Sequence, residues 1–429
     1  MTKLGRLLFL LITCSHLAFA QQKTHIGDNH IYSPYIRTVQ CYHSQKEQSL
    51  PVIALNTREQ LLFSFDDLEG GSKNYGYSIE HYTADWKPSG ISTVDYVESF
   101  AEDRIIDYAY SSGTLQKYTH YSLSLPNDQV KMKISGNYLL RVYENGQVKK
   151  PVLTQRFYVV ENLVNPQVEV KPSTQVAERA AFQKINFSIS HPGLTIQNPN
   201  RDIKVLVMQN GNPGTAIRNS QPSFIKPGSL VYNDLKSNDF KGGNEFRKFD
   251  TRSLRYPAAQ VQEIFKDSAF NAVLIPDRSR NTSKYSSETD KNGAFFIRNQ
   301  DGRDDATESD YVWVWFTLQS SPVTENAAVY IAGRFNNYSL NEVHQLKYNP
   351  EKRTYNGRLL LKQGLYDYKY VLKNLETGEI NDTRLEGSFF ETSNAYQVFV
   401  YYRKPGSRWD ELIGYFTTQT DTLRSSQGN

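Results

Sequence analysis

The residue types that most often do chemistry are spread along this 429-residue chain without the spacings that catalytic or metal sites need. After residue 20, no two histidines form a His-x-x-x-His pair and none stands at metal-ligand spacing from a cysteine, so the sequence does not support a zinc site. It also lacks the Gly-x-Ser-x-Gly elbow of serine hydrolases, the Walker phosphate loop and the dinucleotide-binding glycine fingerprint. The histidines in question are His25, His30, His43, His81, His120, His191 and His344.

One segment, Glu288-x-Asp290-x-Asn292-Gly293, comes near the calcium-binding loop of an EF-hand. Its residues fit loop positions one, three, five and six loosely, but position twelve is Asn299, where a bidentate carboxylate is needed. A polar hairpin turn explains the same residues without a metal. We therefore predict a turn at this point and assign no metal ligand.

Two pairs of carboxylates, Asp66-Asp67 and Asp304-Asp305, are adjacent in sequence. Neighbouring residues on a strand point to opposite faces, which suits solvation or turn formation better than acid–base catalysis across a cleft. A glycosidase stays open as an alternative, because its two carboxylates can be distant in sequence. With no positive catalytic signal, we predict a protein without enzyme activity and assign no catalytic, cofactor-binding or metal-binding residue.

The stretch AVYIAGRFNNYS, residues 328–339, resembles the start of starch- and glycogen-binding β-sandwich modules. A sugar site needs flat aromatic faces, and Tyr338 stands where those modules usually carry tryptophan. The later run Gly364 to Tyr370 also matches their pattern, but its alternating tyrosines are predicted to point into the core. The stretch therefore supports a β-sandwich more than it supports a ligand.

The elements that must position these residues are predicted to be β-strands. Tyr (29) and Phe (22) are abundant, which suits half-buried pleated surfaces. Apolar residues alternate with polar ones in segments such as Leu61–Phe65 and Tyr121–Leu125, and Asn145-Gly146 is a strong hairpin signal. About seven short strands within residues 25–160 are typical of an immunoglobulin-like sandwich. We predict an all-β fold of three consecutive immunoglobulin-like or early-set β-sandwich domains.

The predicted boundaries follow junctions in composition. We expect a signal peptide at 1–20, an N-terminal sandwich at 21–162, a second sandwich with long insertions at 163–306 and a C-terminal early-set-like sandwich at 307–429. The charged segment 299–305 marks the last junction. Just beyond it, Tyr311–Phe316 is apolar on both faces, which predicts a central strand or one that faces another domain. Near the C-terminus, Trp409, Leu412, Ile413 and Phe416 are spaced like one face of a helix.

The first twenty residues predict export. Lys3 and Arg6 precede an apolar run, and Ala18-Phe19-Ala20 is a cleavage site of small residues, as in a secretory signal peptide. A lipid anchor on Cys14 is the weaker alternative. The formal net charge of +4 includes Lys3 and Arg6, so the mature chain carries too little charge to favour nucleic acid or an anionic membrane surface. Cys41 then has no partner for an internal disulfide and is predicted to be a small buried residue.

Several longer runs resemble one family. They are SFDDL (64–68), YSIEHYTADWKPS (77–89), ESFAEDRIIDYAYSSGTLQKYTHYSLSLPND (98–128), SGNYLLRVY (135–143), NEFRKFDTR (244–252), QDGRDDATESDYVWVWFTL (300–318) and PGSRWDELIGYF (405–416). In this order they resemble the type IX secretion system plug protein family of Bacteroidota, across nearly the whole mature chain.

The resemblance implies an exported, non-catalytic β-sandwich protein without cofactors. Its implied role is to sit in the periplasm at the outer membrane and cap the periplasmic mouth of the large translocon barrel when that barrel holds no cargo. The partner is then the barrel, and the residues that bind it stay unassigned. Within YSIEHYTADWKPS, Trp86 is expected to pack in the fold, with a partner contact as the alternative. The alternative function is a glycan-binding protein of the cell surface.

Overall fold

The computed structural model describes residues 27–98, 100–219, 221–323 and 326–420. Of the described residues, 48% are in strands and 5% in helices, which confirms the predicted all-β sandwich fold. The predicted signal peptide, 1–20, and Cys14 lie outside the described residues. Within the described ranges, no helix combines the length and apolarity needed to cross a membrane.

The first part of the chain forms two sheets around one core, here called the N-terminal sandwich. One sheet has the order β1-β10-β9-β5-β6 with β3 beside β10, and the other has the order β2-β4-β8-β7. A short helix, α1 (Thr93–Tyr96), connects β5 to β6. The strands are β1 (His30–Ile31), β2 (Ile36–His43), β3 (Val52–Ala54), β4 (Leu61–Asp67), β5 (Tyr75–Tyr82), β6 (Glu102–Arg104), β7 (Asp107–Tyr110), β8 (Thr119–Leu125), β9 (Gly136–Glu144) and β10 (Pro151–Val160).

The alternation read from the sequence builds this core. Leu61, Phe63 and Phe65 of β4 point inward and are almost fully buried. Phe65 stacks on Tyr121 of the neighbouring strand β8 with ring centroids 5.2 Å apart. Such cross-strand aromatic pairs hold the register of a sheet, since a one-residue slip would turn the whole row of rings outward.

A second pair of sheets forms the middle sandwich. One sheet has the order β11-β12-β16-β15 with β17 beside β12, and the other begins with β14-β13. A short helix, α2 (Pro199–Asp202), and a 3₁₀ turn, Val176–Glu178, lie in its connections. The strands are β11 (Asn165–Pro172), β12 (Phe182–Ser190), β13 (Ile203–Gln209), β14 (Asn212–Asn219), β15 (Phe224–Lys226), β16 (Ser229–Tyr232) and β17 (Asp239–Lys241).

The following strands form the third sandwich, a continuous sheet with the path β18-β27-β24-β25-β26-β23-β20-β19. The sheet curls on itself, because Phe249 of β18 and Val261 of β19, from opposite ends of the path, share one core. The strands are β18 (Arg247–Asp250), β19 (Val261–Lys266), β20 (Phe270–Leu274), β21 (Asp277–Arg278), β22 (Phe295–Ile297), β23 (Tyr311–Gln319), β24 (Ala327–Ala332), β25 (Gln345–Asn349), β26 (Thr354–Lys362), β27 (Gly364–Asn374) and β28 (Ile380–Asn381), with 3₁₀ turns at Arg334–Asn336 and Glu342–His344.

The last two strands return to the middle sandwich. β29 (Ala395–Tyr402) pairs with β13, and β30 (Glu411–Gln419) pairs with β29, which completes the sheet β14-β13-β29-β30. The third sandwich is therefore inserted in the chain between two parts of the middle one. The predicted segments 163–306 and 307–429 do not correspond one to one with these cores: residues 247–297 lie in the third sandwich, and residues 395–419 lie in the middle one.

The helix-like spacing of Leu412, Ile413 and Phe416 is misleading, because these residues lie in the strand β30. Ile413 points into the core of the middle sandwich, whereas Leu412 points into a second cluster shared with the N-terminal sandwich. Both faces of the strand are covered, so apolar residues follow one another directly. That pattern is ambiguous between a helix and a doubly buried strand.

Replacing Ile413 by alanine tests this strand exchange. Ile413 is fully buried in the middle sandwich, so we expect the Ile413→Ala variant to lose about 2–5 kcal/mol in free energy of unfolding. Hydrogen exchange should rise in β11–β13 before it rises in β23–β26. The exposed Leu375 offers a control as Leu375→Ala, and an exchange increase confined to the third sandwich would contradict the assignment.

Candidate functional site

The outward face of β4 carries a carboxylate at the contact between the N-terminal and third sandwiches. Asp66 comes directly after Phe65, whose side chain points into the N-terminal core, and so its own side chain points to the opposite face of the sheet. It is fully buried, with Lys362 at the end of β26 almost equally so. Asp66 Oδ2 accepts hydrogen bonds from Lys362 Nζ at 2.7 Å and from the hydroxyl of Tyr311 at 2.7 Å. His120 Nδ1 lies 2.6 Å from Asp66 Oδ1.

The charges of this cluster compensate each other. Burial by itself raises the pKa of Asp66, but the ammonium of Lys362 and the hydrogen bond with His120 outweigh it, so the pKa lies below its usual value. Burial lowers the pKa of Lys362, and Asp66 offsets part of that effect. The Asp66 carboxylate has three hydrogen-bond partners, and one of them is the Lys362 ammonium. A charged group can stay buried in a protein interior only when it is paired and hydrogen-bonded in this way.

The surrounding contacts extend the cluster along the same interface. The ammonium of Lys362 lies 4.1 Å from the centre of the Tyr118 ring. The Tyr118 hydroxyl donates to the carbonyl of Ser309 at 2.8 Å. The carboxylate of Asp310 accepts from the backbone N–H groups of Leu115 at 2.6 Å and of Gln116 at 3.1 Å. The strand Tyr311–Phe316 was predicted to be a central strand covered on two sides or one facing another domain; it meets the N-terminal sandwich at Tyr311, whereas Trp315 is 37% exposed.

The remaining carboxylates of the two adjacent pairs hold local structure. Asp67 points away from Asp66 and accepts from the Tyr75 hydroxyl at 2.8 Å. Asp304 accepts from the backbone N–H of Ala306 at 2.9 Å, as in a turn. The structure brings Asp66 to a lysine rather than to a second carboxylate, so the arrangement lacks the facing carboxyl pair that glycoside hydrolysis uses.

The calcium-like segment is a turn closed by its own Asp290 and by Asp367 of β27. Asp290 accepts backbone N–H donors from Phe246 and, at 2.9 Å, from Asn292. Asp367 accepts from the N–H groups of Lys291 at 2.6 Å and Gly293 at 3.2 Å. In the part of the chain that the structure describes, no group of three or more His, Cys, Asp or Glu side chains is arranged to hold a metal.

Burial raises the pKa of both Asp290 and Asp367. It raises the pKa of Asp290 to about 7, with Asp367 adding to the effect and the backbone donors opposing it. It also raises the pKa of Asp367 to about 6 against the N–H groups of Lys291 and Gly293. The turn therefore holds two carboxyls that change charge near neutral pH.

Tyr338 is not the exposed aromatic platform that a sugar site needs. It is half-buried in the angle between the third and middle sandwiches, and its hydroxyl donates to the carbonyl of Asn210 at 3.0 Å. The tyrosines of the second module-like run, Tyr366, Tyr368 and Tyr370, are buried in the core as predicted. The resemblance of AVYIAGRFNNYS to sugar-binding modules thus reflects shared strands and turns.

Trp86 and Cys41 both have packing roles. The Trp86 ring packs edge-on against Tyr158 with centroids 5.4 Å apart, under the guanidinium of Arg156 at 4.2 Å. It belongs to an apolar cluster that joins the N-terminal sandwich to Leu206, Met208, Phe399, Tyr401 and Leu412 of the middle sandwich. Cys41 is partly buried against the N-terminal core, and burial raises the pKa of its thiol. The predicted packing of Trp86 is confirmed.

The sequence analysis did not identify an exposed aromatic edge on the N-terminal sandwich. β7 is an outer strand of its sheet in the described structure; Tyr108 and Tyr110 on the strand are 46% and 56% exposed, and Ile106 directly before it is 77% exposed. Its signal in the sequence is the alternation IIDYAY, in which every second residue is large and apolar. We call Ile106, Tyr108 and Tyr110 the aromatic edge.

The backbone of the aromatic edge also faces outward. The N–H of Ser111 donates to the carbonyl of Tyr118 at 2.9 Å, which marks a hydrogen-bonded pair in the β7–β8 ladder. In an antiparallel pair, hydrogen-bonded and non-hydrogen-bonded residue pairs alternate along the strand. Asp107 and Ala109 therefore bond to β8, whereas the backbone N–H and C=O groups of Tyr108 and Tyr110 point away from β8, to the open side of the sheet. An outer strand with unpaired backbone groups and apolar side chains is a typical protein-binding surface.

The chain is similar to known proteins over most of its length. Residues 36–161 match the family described as "Type 9 secretion system plug protein 1st domain". A crystal structure of a hypothetical protein from Parabacteroides merdae at 2.30 Å resolution has 34% sequence identity and a TM-score of 0.88, and the match covers 91% of this chain and 99% of that one. No match was found among curated proteins.

The charged contact predicts a large effect of removing its lysine. In Lys362→Met, Asp66 stays buried without its counter-charge, which should cost about 3–5 kcal/mol in free energy of unfolding. Urea unfolding of the mature protein measures this, with Lys347→Met at an exposed lysine as the control. Combining Lys362→Met with Asp66→Asn should recover part of the loss, and an unchanged stability in the single variant would refute the role given to the pair.

The shifted pKa of Asp290 in this turn predicts a dependence of stability on pH. The folded-state pKa of Asp290, about 7, is above that of an unfolded aspartate, so its contribution is present below about pH 4 and is lost as the pH rises to 7. In Asp290→Asn the side chain stays neutral, and the fall in stability from pH 4 to 7 should become smaller. Glu288→Gln, at an exposed residue of the same turn, is the matched control. Parallel pH profiles for wild type and Asp290→Asn would show that Asp290 titrates normally.

Proposed function

Because the chain belongs to the type IX secretion system plug protein family, we propose that it caps the periplasmic mouth of the outer-membrane translocon barrel when the barrel holds no cargo. The protein then works by binding and release. It has its place in the periplasm, against the outer membrane. The barrel is its partner, and no small-molecule substrate is involved.

The observation that carries this proposal is the aromatic edge, within the part of the chain that matches the family. Residues 36–161 include β7 and the exposed Ile106, Tyr108 and Tyr110. Tyrosine is enriched among the residues that dominate binding energy at protein interfaces. An outer strand adds main-chain hydrogen bonds to that contact. Both features suit a large protein partner better than a small ligand.

The contacts between the sandwiches support the same role. A cap must cover a wide opening without deforming, and domains joined by small polar contacts usually move against each other. Here the N-terminal sandwich is tied to the third by Asp66 and Lys362, and to the middle one by the cluster around Trp86. Two different contacts on two sides of the N-terminal sandwich favour a rigid body.

The alternative of glycan binding loses the residue on which it depended, since Tyr338 is held between two sandwiches. Trp313, half-buried, and Trp315, exposed, on one face of β23 do not replace it. The guanidinium of Arg358 lies 4.4 Å from the ring centre of Trp313 and 4.9 Å from that of Trp315. A sugar would compete with this cation for the indole faces.

Charge placed on the aromatic edge tests the proposal. In Tyr110→Asp and in Ile106→Asp the fold should persist, since both side chains are exposed, while affinity for the barrel should fall. A residue that dominates an interface contributes about 2 kcal/mol or more, which is roughly a thirtyfold change in affinity. Affinity purification from native outer membranes, with the barrel quantified, measures the loss.

The control is Val343→Asp, at an equally exposed apolar residue of the third sandwich. Strains with the edge variants should also admit more of a large antibiotic than strains with the control. Normal outer-membrane integrity after deletion of the whole protein, with no barrel in the purification, would count against the capping role itself. Full binding by both edge variants would reject only the aromatic edge.

A further inference from the structure

The junction of the three sandwiches holds an arginine without a carboxylate. Arg334 begins the 3₁₀ turn after β24 in the third sandwich and reaches toward the N-terminal sandwich. Its Nη1 donates to the carbonyl of Gln48 at 2.7 Å, and its Nη2 donates to the carbonyl of Ser49 at 3.3 Å. Arg334 and Gln48 both line two neighbouring cavities, of about 410 Å³ and about 750 Å³.

The charge of Arg334 is not balanced locally. The other cations of the smaller cavity have partners, since Arg156 pairs with Asp28 and Lys369 pairs with Asp382 at 2.6 Å. Among the described residues, no carboxylate lies within ion-pair distance of Arg334, which bonds to neutral carbonyls. Burial lowers its pKa, but a guanidinium stays protonated in a protein. A desolvated cation without a counter-charge is unfavourable.

A second donor at the same junction is also unused. The side-chain nitrogen Nε2 of Gln48 is buried and has no hydrogen-bond partner in the described structure. The larger cavity is also lined by Lys291 and by the hydroxyl-bearing side chains of Tyr415 and Thr417. The hydroxyls of Tyr415 and Thr417 hydrogen-bond to each other, so Lys291 and the Gln48 amide are the donors that share this cavity with Arg334.

The carboxyls that line the larger cavity do not neutralise this excess of donors. Asp290 already accepts the backbone N–H groups of Phe246 and Asn292, and Glu288 is exposed. The unpartnered Oδ1 of Asn292 is an acceptor on the same cavity wall. A ligand with an anionic group fits the guanidinium of Arg334 and the amide of Gln48.

We propose that Arg334 and the Gln48 side chain bind a small oxyanion, a phosphate or carboxylate group, in the cavities at the junction of the three sandwiches. The planar guanidinium presents a fork of donors, the geometry that such anions prefer, and Gln48 lines the same two cavities. Because Arg334 and Gln48 come from different sandwiches, the bound anion links them. A ligand that binds only the assembled form stabilises it.

Titration of the mature protein with single anions tests this site. Sodium phosphate, citrate and acetate are compared with sodium chloride at equal ionic strength, by calorimetry and by thermal unfolding. We expect saturable binding of phosphate or of a carboxylate, with a rise in Tm that chloride does not produce. A response to phosphate alone assigns a phosphate ligand, and a response to citrate or acetate assigns a carboxylate.

The variants show whether the response belongs to this site. Arg334→Gln should weaken binding at least tenfold, and so should Gln48→Met, which keeps the length of the side chain and removes the donor. Arg408→Gln, at an exposed arginine of the middle sandwich, should bind like wild type. If Arg334→Gln does not fold, the result with Gln48→Met decides.

Absence of saturable binding by wild type would overturn the proposal. Equal binding by wild type and Gln48→Met, or equal losses in Arg408→Gln and Arg334→Gln, would also overturn it. The outcome is separate from that of the capping role, because these titrations use the protein without the barrel.

Discussion

The buried pair of Asp66 and Lys362 is the interaction on which the arrangement of this protein depends. A carboxylate without exposure to water is stable only while its partners stay in place, and two of the three, Lys362 and Tyr311, come from the third sandwich. Asp66 itself is fixed by the register of β4, whose opposite face carries the N-terminal core. The pairing of one strand inside the first sandwich therefore also sets the position of the third.

The other contacts close the arrangement into a ring. The N-terminal and middle sandwiches share the apolar cluster around Trp86, where the Tyr401 hydroxyl also donates to Asn137 at 2.8 Å. The middle and third sandwiches are joined by the chain itself, because β18 to β28 are inserted between β17 and β29. Each sandwich thus contacts the other two, and this closed set of contacts suits a body that must cover an opening without bending.

Sequence patterns were informative where one face of a strand was buried. The alternation of Leu61, Phe63 and Phe65 predicted the N-terminal core, and that of Tyr366 to Tyr370 predicted the third. The patterns failed where both faces were covered, as in β30, since consecutive apolar residues lose the period of two. Nor could they show that β29 pairs with β13, because local periodicity carries no information on partners nearly two hundred residues away.

For the candidate sites too, the sequence showed the residues but not the distant partners that the fold brings to them. Asp66 was visible as a carboxylate, but its lysine lies 296 residues away and only the fold brings the two together. Arg334 belongs to the stretch AVYIAGRFNNYS, whose pattern indicated only a β-sandwich, and its lack of a counter-charge is a property of the junction between sandwiches.

Differential scanning calorimetry of the mature protein shows most directly whether the three sandwiches form one cooperative body. We expect a single unfolding transition whose calorimetric enthalpy equals its van't Hoff enthalpy. Two or more separate transitions, with the N-terminal sandwich melting on its own, would contradict it.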